Sequence, residues 1–135
     1  MNVTLGLIAD SANVSQEGKL NLLGIFDTIF AFNFPCKHSQ MTLVTKIQAD
    51  VRDNHHLDRN LKIILVDENA HELLAINATF NFKNTPPGER GTTSSIIGLT
   101  DLVFEKPGNY AFKILINGEE KSEIPLKLHE VQKKA

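Results

Sequence analysis

Apolar residues recur at every second position over most of this chain, and no segment repeats them at the 3.6-residue period of a helix. The clearest run is Lys19 to Pro35, K-L-N-L-L-G-I-F-D-T-I-F-A-F-N-F-P. One set of alternate positions holds Leu20, Leu22, Gly24, Phe26, Thr28, Phe30, Phe32 and Phe34. The other, Lys19, Asn21, Leu23, Ile25, Asp27, Ile29, Ala31 and Asn33, is apolar in its middle and polar towards its ends. This pattern predicts a central strand with one face buried and the other half covered. A strand usually runs about five or six residues at roughly 3.3 Å each, so the stretch is too long to stay straight. Gly24 or the pair Asp27–Thr28 is where it is expected to bend.

The same alternation places the other strands. Val3, Leu5, Leu7 and Ala9 alternate with Thr4, Gly6 and Ile8 in a first strand expected to end near Asp10. Gln16 to Lys19 reads as a turn, Pro35 closes the long stretch, and Cys36 to Gln40 reads as a loop. Further strands are expected over Met41–Ala49, Leu61–Leu65, Leu73–Phe82, Ser95–Phe104, Tyr110–Ile116 and Ile124–Leu128, with Pro125 suggesting a sheet edge. Between them lie the polar loop Asp50–Asp58, a turn at Asp67–Ala70 in which Asn69 is best suited to positive φ, and the loop Lys83–Thr93. Pro107-Gly108 turns the chain, Asn117-Gly118 is a two-residue hairpin signal, and Gln132–Ala135 is expected to fray. About eight strands with frequent turn signals and no helix predict an all-β fold. The expected form is a two-sheet antiparallel sandwich, immunoglobulin-like in outline, over one domain spanning 1–135.

Composition narrows the function classes. A length of 135 residues with 41% hydrophobic and 22% charged residues is that of a soluble globular domain. The net charge of −2 and scattered basic residues give no electrostatic case for nucleic acid or an anionic membrane, and the Lys133–Lys134 pair reads as a solvated terminus. Cys36 is the one cysteine, so no intrachain disulfide forms and a structural thiol is expected. The opening M-N-V-T-L-G-L-I-A-D lacks the basic and apolar regions of a signal peptide. Asp27 interrupts the longest apolar run, so no membrane span is expected. The expected location is the cytoplasm, which makes the N-x-S/T matches at Asn2, Asn13 and Asn77 chance hits.

Two motifs carry resemblances. Phe104-Glu105-Lys106-Pro107-Gly108-Asn109-Tyr110 resembles the tyrosine corner of immunoglobulin-like and fibronectin-like sandwiches, which implies that the Tyr110 hydroxyl bonds back to upstream backbone. Asp10-Ser11-Ala12, Gly18-Lys19-Leu20, Leu23-Gly24-Ile25-Phe26-Asp27, Phe34-Pro35 and the later P-G-x-Y together resemble a family of small, functionally uncharacterised bacterial β-sandwich proteins. The resemblance covers most of the chain and implies a fold, with no catalytic residue to carry over. Ala70 departs from it, standing where a Gly is expected.

The chemistry-bearing residues are sparse. Asp53, His55, His56 and Asp58 are the one dense set of metal-ligand types, but neighbours on an extended chain point to opposite sides. Asp10, Asp27, Asp50, Asp53 and Asp67 fall near strand ends without the spacing of a calcium loop. No nucleophile elbow or dinucleotide fingerprint is present, and the Gly88–Gly91 loop with Arg90, Thr92 and Thr93 leads into no helix. With no Trp and one Tyr, stacking platforms for sugars are lacking. The expectation is therefore a non-enzymatic module without cofactor or metal, acting through an unidentified protein partner or self-association. Its association surface is expected at Phe32 and Phe34. The alternatives are a divalent-metal-binding or a small-ligand-binding sandwich.

Overall fold

Nine strands make up the described residues, 1–132, of the computed structural model. The Lys133–Lys134 pair and the end of the Gln132–Ala135 segment lie outside them. The strands are β1 (Asn2–Val14), β2 (Leu20–Phe26), β3 (Thr28–Ala31), β4 (Cys36–Gln48), β5 (Arg59–Val66), β6 (Glu72–Phe80), β7 (Thr92–Phe104), β8 (Gly108–Ile116) and β9 (Glu119–Glu130). They form a four-stranded sheet in the order β2-β1-β4-β7 and a five-stranded sheet in the order β3-β9-β8-β5-β6. One apolar core is shared between the sheets. Ile8, Met41, Leu43 and Ile47 enter it from the first, and Leu61, Ile63, Phe112, Ile114 and Leu126 from the second. All nine are at most 1% exposed, so the period-2 stripes of β4, β5, β8 and β9 are read correctly from the sequence.

The all-β expectation holds, while three of its details change. First, the Lys19–Pro35 stretch is two edge strands and not one central strand. β2 borders the four-stranded sheet, the chain breaks at Asp27, and β3 borders the five-stranded one. Second, the five-stranded sheet is mixed and not antiparallel, because β3 is delivered by this one-residue crossing and runs parallel to β9, Thr28 beside Lys127. Third, the crossing reverses which alternate positions face inward. Phe26 packs against the core from β2, but in β3 the buried residue is Ile29, 7% exposed, while Phe30 is 66% exposed. Gly24 makes a separate irregularity within β2. Its φ is 70°, and the Asp10 side chain occupies the space that a Cβ would need, so glycine is required twice over.

Strand limits shift where pairing outruns apolar patterning. β1 continues past Asp10 to Val14 because it forms a hairpin with β2, in which the Asn21 side chain donates to that of Asn13 at 2.9 Å. Cys36–Gln40 is the start of β4 and not a loop, since it pairs with the end of β7 from Phe104 to Thr100. Asp101 takes a positive φ of 54° within that ladder, whose register stays one-to-one on either side of it. The Phe34–Pro35 peptide is cis. Pro125 lies in β9, an interior strand, and is tolerated because β3 pairs with β9 only from Lys127 onward.

Turns follow local chemistry. Asn117 and Gly118, at φ 49° and 83°, close the β8–β9 hairpin as their sequence implies. In the β5–β6 turn, positive φ falls on Ala70, at 63°, and not on Asn69. The Asp67 carboxylate accepts the Asn69 and His71 backbone N–H groups, both at 2.9 Å, and this closure forces the left-handed residue between them. That is the position where the resemblance described above leads one to expect Gly. The Tyr110 hydroxyl donates to the Lys106 carbonyl at 2.6 Å, the back-bond that the P-G-x-Y motif implies.

Two substitutions separate core from edge. Phe112 is fully buried, and Phe112→Ala is expected to cost about 3–5 kcal/mol in denaturant unfolding. Phe26 is half-buried on an edge strand, so Phe26→Ala should cost about half as much. Equal losses would place Phe26 fully in the core.

Candidate functional site

The Asp50–Asp58 loop uses its polar groups internally. The Asp53 carboxylate accepts the Asp50 N–H at 2.9 Å, and that of Asp58 accepts from the Asn81 amide at 3.0 Å. The His55 ring lies 6.1 Å from the Phe82 ring, whereas His56 is exposed. The anchor is Arg59, 7% exposed, which sequence reading passed over. Its guanidinium donates to the Asn54 and Leu57 carbonyls, both at 2.9 Å, and stands 5.8 Å from the Phe82 ring centroid. An Arg at a strand start beside a polar loop was the available signal. Gly91 packs against Phe82 so closely that a Cβ would collide with the ring, which ties the Gly88–Gly91 loop to the same cluster.

The remaining ligand-type side chains are dispersed. His38 tilts against Phe26, His71 pairs with Asp67, and His129 stands edge-on to Phe30. Among the described residues no group of three or more His, Cys, Asp or Glu is placed to hold a metal ion. Cys36 is half-buried, and burial pushes its thiol pKa up, away from the reactive thiolate.

Phe32 and Phe34, the residues expected to form an association surface, lie between β3 and β4. Phe32 is 55% exposed, while Phe34 is half-buried against the core. Asp10, Ile25, Phe26, Phe30 and His38 line a groove of about 420 Å³ where the chain crosses between sheets, and neither Phe32 nor Phe34 is among its lining residues. A second groove, of about 560 Å³, runs over the outer face of the five-stranded sheet from Asp67 and Glu68 past Lys113 to Lys127.

The outer face of the four-stranded sheet is the least expected surface. Ile8 and Leu43 pair with each other and point into the core, so their neighbours Leu7, Ala9, Thr42 and Val44 point outward. The register then sets one outward row of Leu7, Val44 and Ile96 beside another of Ile25, Ala9, Thr42 and Gly98. Ala9 and Val44 are 0% exposed although neither belongs to the core cluster. The stripe Leu5-Leu7-Ala9, seen in the sequence, is therefore real but faces outside. A register shift between Val3 and Leu5 leaves only Val3 of that set on the core side. The signal was that β1 and β4 are apolar in both phases, as L-G-L-I-A and M-T-L-V-T, which marks strands covered on both faces.

A family model described as a family of unknown function (DUF6941) matches residues 4–129. No curated protein matches the chain. Among solved structures, Pseudomonas fluorescens alkylpurine DNA glycosylase AlkC, bound to DNA containing an abasic site analog, is similar with a TM-score of 0.46 and 10% identity. The match covers 92% of this chain and 30% of that one, so the chain spans less than a third of the glycosylase's length.

No helix of the described residues is long and apolar enough to cross a membrane.

Two loops give testable outcomes. Arg59→Met keeps the apolar stem but leaves the Asn54 and Leu57 carbonyls without their donor. It should increase amide exchange across residues 50–58 by tenfold or more, about 1.4 kcal/mol, with β4 and β8 unchanged. The Asp67 carboxyl is held below its usual pKa, first by the His71 backbone N–H and then by that of Asn69 and the His71 ring. A lowered folded-state pKa contributes stability that is complete above the unfolded value of about 3.9 and is lost as pH falls through the folded one. Melting temperature should therefore drop below about pH 4, and the drop should be shallower in Asp67→Asn. Parallel acid profiles would remove this role from Asp67.

Proposed function

The chain belongs to this family of unknown function, and we propose that it is a non-enzymatic protein-interaction module of the cytoplasm, working through the outer face of its four-stranded sheet. The observation that carries the reading is the apolar character of this outward face, where Leu7 and Ile96 flank the covered Val44 and remain partly open to solvent. Antiparallel sheets with one solvated face ordinarily place polar residues there. Leu23 and Ile25, 69% and 61% exposed, extend the apolar character to the β2 edge. With Phe30 and Phe32 they are four of the nine large exposed hydrophobics among the described residues, all within one short segment.

A cytoplasmic setting is supported by a lone, half-buried cysteine with no disulfide partner. We read the fold as immunoglobulin-like in outline. The order β9-β8-β5-β6 corresponds to strands G-F-C-C′ of a variable-type domain, and the Tyr110 back-bond sits at the corner where such domains carry one.

A photo-crosslinking amino acid placed at Ile96, compared with one at Lys113 on the outer face of the other sheet, tests the reading in the native cells. Protein adducts should concentrate at position 96. Equal yields at both positions, or no adduct at 96, would remove this face from the function.

A further inference from the structure

We infer that the groove where the chain crosses between the sheets takes an arginine side chain of a partner protein, presented on an extended segment and held by Asp10. The site is at the opening between the sheets and not on the outer face, so it does not depend on the reading above.

Asp10 is a charge on the inward side of its strand. Ile8 points into the core from β1, and Asp10, two residues on, shares that face. It is exposed all the same, because the groove of about 420 Å³ opens the core here, between strands that border different sheets. Phe26, Ile29 and Phe30 give the groove its apolar wall, and Ile29 is 7% exposed. Gly24 lies across from Asp10, between the Ala9–Ile25 and Ser11–Leu23 pairs. The Asp10 side chain fills the space a Cβ would need there, which sets its carboxylate over β2 at the groove.

Among the described residues nothing pairs with that carboxylate. The Thr42 hydroxyl donates to the Asp10 backbone carbonyl instead, at 3.4 Å. Lys37, next to His38, pairs with Asp101 at 3.7 Å, and the Thr28 hydroxyl donates to Asp27. The groove thus offers one free anion in an apolar, partly aromatic frame.

Arginine complements that frame best. Its guanidinium forks onto a carboxylate, is weakly hydrated and stacks on aromatic rings, while its aliphatic stem covers apolar surface. A lysine ammonium holds its water more strongly and meets the carboxylate as a point charge. A metal ion lacks ligands, since no group of three or more His, Cys, Asp or Glu is placed to hold one among the described residues. The groove is also roomier than one side chain requires. Residues two positions either side of the arginine, about 6.8 Å away on an extended segment, project the same way. They would rest on Ile25 and Phe30, 61% and 66% exposed. A second copy is a poor donor. Of the three arginines of this chain, Arg59 is buried, and Arg52 and Arg90 lie with Asp50 towards the other end of β1. Inserting either would join copies head to tail, which makes rings or filaments and not a closed pair.

The test is an amide NMR titration with the blocked peptide acetyl-Val-Gly-Arg-Gly-Val-amide, whose single charge is the guanidinium. Saturable shifts should be confined to residues around Asp10, Gly24, Phe30 and His38. Asp10→Asn keeps the shape and removes the charge. It should leave the melting temperature unchanged and weaken binding about tenfold or more, the worth of a charge-assisted contact. Phe30→Ser, at an exposed ring, should also weaken binding with the fold intact. The peptide with Gln for Arg should not bind. No saturable shift up to about 10 mM peptide overturns the inference, as does Asp10→Asn binding like the wild type or a Gln peptide binding like the Arg one. Ethylguanidinium bound as tightly as the peptide would make the ligand a small free cation and overturn the protein partner. So would a mass that grows with concentration in the wild type but not in Asp10→Asn, which would make the donor another copy. Crosslinking at Ile96 uses none of these residues, so either reading can fail without the other.

Discussion

The alternation of a β-strand leaves no freedom about which residues share a face, and β4 carries that constraint through the whole molecule. Its residues Met41, Leu43, Thr45 and Ile47 point into the core, so Thr42, Val44 and Lys46 must point out. β4 lies between β1 and β7, and its register fixes theirs: Leu43 beside Ile8 and Ile97, Val44 beside Leu7 and Ile96. A one-residue slip would exchange a complete core face for the outer one. Even the small residues obey it. Gly6, opposite Thr45, has the Ile124 side chain of the other sheet against the position its Cβ would take, so the two layers approach closely there.

The crossing at Asp27 follows from the same rule applied to a chain that changes sheets. Alternation is kept within each sheet but not across the break, so the eight-position face from Leu20 to Phe34 cannot remain one face. This is why the sequence displays an uninterrupted Phe stripe while the structure sorts its members into half-buried Phe26 and Phe34 and exposed Phe30 and Phe32. The need for a bend is legible from length alone, and the pair Asp27–Thr28 is one of the two places where the sequence allows it. That the two halves would border different sheets is not legible, since edge position depends on pairings with β1 and β9 that lie far away in sequence.

Elsewhere legibility tracked how local the cause was. Asn117-Gly118 and Pro107-Gly108 act through their own backbone preferences, and both turns stand as read. Cys36–Gln40 looks like a loop because its side chains are polar, yet a ladder needs only backbone and a partner, which β7 supplies. Arg59 is polar by composition and buried by context, with carbonyls of its own loop as acceptors. For the candidate site, the apolar stripe of β1 was visible, but its direction was not. Inside and outside are assigned by the second layer, and a sequence pattern has no second layer.

The short parallel pair at the sheet edge bears on how the protein is made. Thr28 sits beside Lys127, so β3 leaves the ribosome roughly a hundred residues before its one hydrogen-bonded neighbour. At translation rates of about 5–20 residues per second, that is a wait of roughly 5–20 seconds. During it Ile29 and Phe30 are without the strand that will hold β3, and β8 is missing one of its two neighbours. The five-stranded layer thus closes last, and only when the C-terminal strand has emerged. Until then the nascent chain carries an apolar segment of the kind that chaperones are suited to shield.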